Sequence, residues 1–256
     1  MNQNHLISIA GAGPGDPELL TVKALRRLEQ ADVVLYDALH GNEILDLAPV
    51  NALKLYAGKH YQDGQHQTER QDKINSLLKQ FACEGKKVVR LKAGDPFIFG
   101  RGAEELEFCL AEGLRVEVIP GITSGLAAAE VCRIPVTRRG MNSMALFYTG
   151  HKRNGGFDGL PEVAAVLKTN APVIVYMGLK NLGIMAAELI FRGVDASLPV
   201  QIISRACHHD QQVYSTVLGE CEAFLSRNDP PMPAVILVGR YAERLSGKSY
   251  LQNTDQ

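Results

Sequence analysis

Short apolar runs rich in β-branched residues alternate with longer stretches whose apolar positions recur at helical spacing. Residues 6–10 read as a strand, ended by Gly11-Ala12-Gly13-Pro14-Gly15. Asp16 fits a helix N-cap with Pro17 at the first helical position, and Val22, Leu25 and Leu28 extend an apolar stripe to about Gln30. Residues 33–36 form the next strand, ending at Asp37, and 53–57 another, ending at Gly58-Lys59. Residues 66–84 read as a helix, 87–91 as a strand, 103–112 as a helix stopped by Gly113, and 115–119 as a strand before Pro120-Gly121. Alternation of strands and helices of this kind predicts a mostly parallel sheet covered on both faces.

Pro120-Gly121 marks a break and divides the chain into domains at 1–119 and 120–245, with a polar tail at 246–256. After the break, 126–132 is helical until Ile134-Pro135 interrupts it. Strands follow at 145–149, 173–177, 200–204, 213–217 and 234–238, with helices at 181–192 and 220–227. Some of these strands succeed one another across a short loop, which favours a mixed sheet. The predicted class is α/β: two αβα domains, parallel-rich in the first and mixed in the second, with a ligand cleft between them.

Composition narrows this picture. With 256 residues, 46% of them hydrophobic, the chain can bury a large core without disulfides or metal, and low-complexity disorder is excluded. A net charge of −1 argues against a basic field for nucleic acid. No apolar run approaches the roughly 18–20 residues that cross a bilayer, and the first residues lack a signal-peptide layout; the expectation is a cytoplasmic protein without a membrane partner. Five dispersed cysteines with no CxxC pair read as reduced thiols packed as small hydrophobes. Cys207-His208-His209-Asp210 holds three ligand types, but adjacent residues rarely aim at one metal and no second cluster sits at finger spacing. It reads as a loop or strand end, and no metal is expected.

The candidate chemistry gathers at strand ends. In open α/β sheets ligands bind beyond the carboxyl ends of strands, and four such ends carry notable residues: Gly11–Asp16, Asp37, Lys59 and Ala93–Asp95. A dinucleotide fingerprint at Gly11–Asp16 would require glycine at the sixth position, where Asp16 stands and would face a pyrophosphate. Asp37 lies near where a ribose-binding acid would sit, so that alternative remains open. A glycine turn otherwise suits any flat ligand that approaches the backbone closely.

Taken in order, the motifs at Gly11–Thr21, Ala31–Asp37, Gly58-Lys59, Arg90–Glu105, Pro120–Ser124, Ile134–Arg139, Thr149–His151 and Tyr176–Gly178 resemble the tetrapyrrole (precorrin) methylases over about residues 5–241. Within that family the resemblance is to members acting first, on uroporphyrinogen III. It implies two α/β domains, S-adenosylmethionine held in the cleft, a homodimer, and methylation at C2 and C7 to give precorrin-2, the precursor of sirohaem, cobalamin or haem d1. Pro14, Ala93, Gly94, Asp95, Ile98, Thr123, Ser124, Met177 and Ala206 fall on donor-binding positions. Asp37 falls on the proton acceptor and Lys59 on the proton donor. Arg101, Glu104 and Arg139 fall on positions that bind or activate the tetrapyrrole, and Arg101, Arg138, Arg139 and Lys59 would clamp its carboxylates.

Those residue types suit the reaction. A sulfonium methyl needs no metal, only in-line attack by an electron-rich carbon, and the cationic ring system left behind must lose a proton to a positioned base. Arginine forks bind carboxylates bidentately. The sequence departs from the family pattern where Ala93 replaces a first glycine, where Arg138 replaces a histidine, and where residues 60–70 are longer and read as a lid. An alanine at 93 is tolerable only if its φ is negative. Alternative readings are a later precorrin methylase, a diphthine synthase-like enzyme, or a non-catalytic nucleotide-binding module.

Overall fold

The computed structural model describes residues 6–37, 43–58, 67–151 and 156–245. The chain divides into two compact units, Met1–Ser124 and Gly125–Gln256. The first holds five strands, β1 (Ile7–Gly11), β2 (Val33–Tyr36), β3 (Leu53–Tyr56), β4 (Val88–Lys92) and β5 (Val116–Ile119), in the order β3-β2-β4-β1-β5. Every neighbouring pair is parallel, so all five carboxyl ends open on the same edge.

Alternation along each strand sends side chains to opposite faces, and the core divides accordingly. Ala10, Val34, Val89 and Leu91 pack with Ala24 and Leu28 of α1 (Val22–Leu28) and Ile44 of α2 (Glu43–Asp46). Ile7, Ile9, Val33, Leu35 and Val88 pack on the other face with Ile74 and Leu78 of α3 (Gln67–Cys83) and Cys109 of α4 (Gly102–Ala111). Covering on both faces explains why β1 and β2 read as near-continuous apolar runs, while β3, β4 and β5 each carry charged residues. The expected long helix from Pro17 is corrected. Asp16 caps only a 3-10 turn over Pro17–Leu19, and α1 starts afresh at Val22 because Thr21 Oγ1 accepts a hydrogen bond from the Ala24 N–H.

The second unit follows α5 (Ser124–Val131) with β6 (Leu146–Thr149), α6 (Leu160–Lys168), β7 (Val173–Tyr176), α7 (Leu182–Phe191), β8 (Pro199–Ser204), β9 (Gln212–Val217), α8 (Cys221–Arg227) and β10 (Ala234–Val238). The strand order is β6-β7-β10-β8-β9. β6 and β7 are parallel, while β10 runs antiparallel to both β7 and β8, and β9 antiparallel to β8. This is the mixed sheet expected from the short connections. One face packs Val173, Val175, Val200, Ile202 and Ile236 against α6, α7 and α8. On the other, Tyr176 Oη accepts a hydrogen bond from the Gly125 N–H at 3.1 Å, where a Cβ on Gly125 would lie 2.2 Å from the same oxygen.

Helix α6 has no counterpart in the sequence reading. Its buried positions Leu160, Val163, Ala164 and Leu167 have clean helical spacing, but Gly159 and Pro161 at its start look like a break. In the first turn proline is compatible with a helix, because the N–H it lacks has no partner there. Among the described residues, no helix is long and apolar enough to cross a membrane. Cys109, Cys132 and Cys221 are buried as small core residues, whereas Cys83 is exposed and Cys207 half-buried.

Candidate active site

At the carboxyl edge of the first sheet, three loops meet backbone to backbone. Gly13 and Gly94 pair reciprocally, Gly13 N–H to Gly94 O at 3.2 Å and Gly94 N–H to Gly13 O at 2.7 Å. A Cβ on Gly11 would lie 2.5 Å from Gly94 O, and one on Gly121 2.2 Å from the same oxygen. Gly13 and Gly94 hold positive φ angles of 69° and 68°, which glycine adopts without strain. Asp95 fastens this layer, since Oδ1 accepts from the Phe97 N–H at 2.8 Å and Oδ2 from the Gly121 N–H at 3.1 Å.

The expected donor positions Pro14, Ala93, Gly94, Asp95, Ile98 and Thr123 lie on these loops, with Thr123 buried, and Ser124 opens α5 directly after them. Ala93 is exposed and outside the positive-φ region, so its methyl group brings no backbone strain. Asp16, the residue at odds with a dinucleotide fingerprint, uses Oδ1 to accept from the Glu18 N–H at 2.9 Å. A backbone layer of this kind lets a flat ligand approach the main chain closely.

Beside this layer lies a cluster of buried charge that strand periodicity builds. Asp37 follows Leu35 by two residues, and Arg90 and Lys92 follow Val88 by two and four; all point toward the face covered by α3 and α4. Glu105 sits one helical turn before the buried Cys109 and meets them there. Arg90 Nη2 donates to Asp37 Oδ1 at 2.6 Å and Arg90 Nε to Glu105 Oε1 at 3.1 Å. Lys92 Nζ donates to Glu105 Oε1 at 2.9 Å and stands 3.5 Å from Asp37 Oδ2. The side chains of Arg90, Lys92 and Glu105 are 1%, 3% and 0% exposed, so they pair with one another instead of with water; that of Asp37 is 29% exposed. Asp37 is the member that reaches solvent.

It does so in a cavity of about 250 Å³ lined by Asp37, Arg70, Gln71, Arg90, Lys92 and Arg101, among others. Arg101 holds the position before α4 with φ 58°, a left-handed arginine. Its Nε and Nη2 grip Glu104 Oε1 and Oε2 at 2.8 and 2.5 Å. That bidentate hydrogen bond holds the Glu104 carboxyl below the ordinary carboxylate range and pushes Arg101 further up. The structure therefore gathers Asp37 and Arg101 at one cavity, with Glu104 committed to Arg101. Lys59 and most of the 60–70 loop lie outside the described residues. Arg90, Lys92 and Glu105 lie within the Arg90–Glu105 motif but are not among the expected site residues; two cations at i and i+2 in an otherwise apolar strand are the signal in the sequence that points to them.

In the second unit, Met177 follows β7 with φ 54° and a 57% exposed side chain. Gly178 behind it is tightly enclosed, as a Cβ there would come 2.6 Å from Val175 Cγ1 and force a shift. β8 runs parallel to β7 with β10 between them, so Ala206, two residues past β8, lies at the same sheet end as Met177. Ala206 is buried between Arg205 and Cys207, both at positive φ. Arg205 pairs with Asp210, turning Cys207–Asp210 into the expected loop after a strand. Among the described residues, no group of three or more His, Cys, Asp and Glu gathers as a metal site. Arg138 and Arg139 occupy a turn closed by the Arg138 N–H donating to Asn142 Oδ1 at 2.9 Å; Arg138 is half-buried and Arg139 exposed.

Known proteins are similar to this chain over most of its length. Residues 6–222 match the family model of the Tetrapyrrole (Corrin/Porphyrin) Methylases. The chain is 42% identical over 237 residues to an S-adenosyl-L-methionine-dependent uroporphyrinogen III methyltransferase of Methanosarcina barkeri, covering 91% of this chain and 90% of that one. It is 41% identical over 233 residues to a sirohaem synthase of Methylococcus capsulatus, covering 91% of this chain but 48% of the relative, so the chain spans about half of that longer protein. Among solved structures it is similar to the native uroporphyrin III C-methyltransferase of Thermus thermophilus, with 37% identity, TM-score 0.77, and coverage of 92% of this chain and 98% of that one. A structure of that Thermus enzyme complexed with S-adenosylhomocysteine aligns with 35% identity, TM-score 0.75, and coverage of 93% and 92%. A family match across most of the chain, on a fold whose strand ends carry the same ordered motifs, places this protein among the tetrapyrrole methylases.

Proposed function

We propose that this methylase transfers methyl groups from S-adenosylmethionine to C2 and C7 of uroporphyrinogen III, giving precorrin-2, with Asp37 as the base. The observation that supports it best is the placement of Asp37: two buried cations fix its carboxylate, and its exposed edge faces a cavity lined with arginine. A macrocycle bearing eight carboxylates needs such cations, and a ring system that becomes cationic on methylation needs such a base.

S-adenosylmethionine, when bound, supplies an electrophilic methyl group. Pro14, Ala93, Gly94, Asp95, Ile98, Thr123 and Ser124 would hold it through backbone groups exposed by the glycine layer, and Met177 and Ala206 are the further donor positions that the family resemblance implies. Arg101 binds a substrate carboxylate while Glu104 keeps its fork oriented, and Arg138 and Arg139 take others. A new carbon–carbon bond forms at the pyrrole as the sulfur–methyl bond breaks. The ring then gives a proton to Asp37, and Lys59 donates where a proton must be returned. The same proposal includes a homodimer, which light scattering tests by mass.

Incubation with S-adenosylmethionine and uroporphyrinogen III should yield a dimethylated product by mass spectrometry and two S-adenosylhomocysteines per macrocycle. Recovery of unmethylated substrate, under conditions where the donor binds, would rule the proposal out.

A further inference from the structure

The buried cluster holds more charge than one base requires. Asp37 could be oriented by Arg90 alone, yet Lys92 and Glu105 are sealed in with them at 3% and 0% side-chain exposure. Sealing charges away from water is expensive unless they balance. Here they do: Arg90 and Lys92 supply two positive charges, Asp37 and Glu105 two negative ones, and the sum is zero. The two anions are not equivalent. Glu105 Oε1 takes both cations, at 3.1 Å from Arg90 and 2.9 Å from Lys92, whereas Asp37 divides its oxygens, Oδ1 to Arg90 and Oδ2 toward Lys92. Glu105 Oε2 accepts no hydrogen bond among the described residues although it is fully buried.

Glu105 therefore competes with Asp37 for the same two cations. Arg90 is held besides by the carbonyl oxygens of Leu35 and Leu91, at 3.4 and 3.3 Å, so its guanidinium is fixed on four sides. Were Glu105 neutral, the whole of both positive charges would bear on Asp37 and weaken its attraction for a proton. Were one cation absent, Asp37 would share a buried pocket with a second anion and hold its proton more tightly.

We propose that Glu105, Arg90 and Lys92 are positioning residues that set the basicity and orientation of Asp37 for the methylation reaction. This rests on the reading of Asp37 as the base. Among the described residues, the other charged groups that line the cavity with Asp37 are Arg101 at the start of α4 and Arg70 of α3. Both border the open side and leave the buried balance to Glu105 and Lys92.

The test compares Glu105→Gln and Lys92→Gln in the full-length protein, measuring the pH profile of kcat alongside S-adenosylhomocysteine affinity and thermal stability. Activity falls on the acid side as the base becomes protonated. Glu105→Gln leaves the cluster one charge too positive and should move that acid limb to lower pH by about one unit; Lys92→Gln leaves it one charge too negative and should move the limb to higher pH by about as much. Donor-product affinity should stay within about twofold of wild type, because the glycine cradle is untouched. Opposite displacements are something a merely structural role would not produce. Limbs that stay in place, or move the same way, overturn the proposal; should Glu105→Gln fail to fold, the Lys92→Gln limb decides alone. In parallel, the Asp37→Asn/Glu105→Gln double variant should be no slower than Asp37→Asn, and additive losses would also overturn it. A wild-type rate in Asp37→Asn would instead remove Asp37 as the base, a separate outcome.

Discussion

Gly121→Ala tests whether the three-loop layer holds the donor site in shape. The added Cβ would lie 2.2 Å from Gly94 O and 2.8 Å from Gly11 Cα, both backbone atoms that cannot rotate away. Ordinary contact distances begin near 3.5 Å, so the loops must separate by roughly 1 Å. Overpacking of this kind costs about 1–3 kcal/mol, and weakening the Gly121 N–H bond to the Asp95 carboxylate adds about 1 kcal/mol. A loss of about 3 kcal/mol should lower Tm by about 10 °C in a chain of this size. Gly121 lies outside the positive-φ region, so the expected effect is steric. Two controls separate causes: Gly156, with nothing within 4 Å of its Cβ position, should tolerate alanine, and Gly113, equally open but at φ 68°, should lose only about 1 kcal/mol. Calorimetry reads the stabilities, and titration with S-adenosylhomocysteine should show at least a tenfold loss of affinity, about 1.4 kcal/mol, in Gly121→Ala alone. If Gly121→Ala melts with Gly156→Ala and binds like wild type, the layer has no such role.

Two further predictions concern single side chains. Glu117 on β5 accepts from Ser8 Oγ at 2.9 Å, directly opposite on β1, and pairs with Arg27 and Lys23 of α1 at 2.5 and 2.6 Å. Burial alone would raise its carboxyl, but these hydrogen bonds outweigh it and hold the group below its ordinary value near 4.5. Its contribution to stability is then complete above about pH 4.5 and fades as pH falls through the lower folded value. Glu117→Gln should accordingly be less stable than wild type at pH 7 by about 1 kcal/mol, with the gap closing in acid, and a gap independent of pH in chemical denaturation would contradict this. Met177→Asn should be more stable by about 1 kcal/mol, since asparagine accepts φ 54° more readily, and yet bind S-adenosylhomocysteine more weakly; a loss of stability would refute stored strain at that position.

The first unit was largely legible because parallel strands buried on both faces leave short runs rich in β-branched residues, and their predicted ends fall within a residue of those observed. What escaped the sequence reading did so for local reasons. Thr21 took over the capping role that Asp16 seemed to hold, and Pro161 hid α6 by resembling a break where it is compatible with a first turn. The loops were found from glycine, aspartate and proline, but glycine alone cannot tell a positive φ from a close approach. Gly94 shows the former and Gly121 the latter. The charged cluster was the least readable part, because its members are joined across 53 residues from Arg90 to Asp37 and across 15 from Arg90 to Glu105. Period two places Arg90 and Lys92 on one face of β4, but only the folded sheet shows what waits there.

The central claim is that a carboxylate held at the edge of this buried cluster takes the proton released when the macrocycle is methylated. Asp37→Asn tests it most directly, because the side chain keeps its shape and an oxygen for Arg90 while losing the ability to act as a base. Single-turnover methylation of uroporphyrinogen III by the variant, loaded with S-adenosylmethionine, should be slower by about 10²–10⁴-fold, with donor affinity unchanged. Methylation at the wild-type rate would contradict the account.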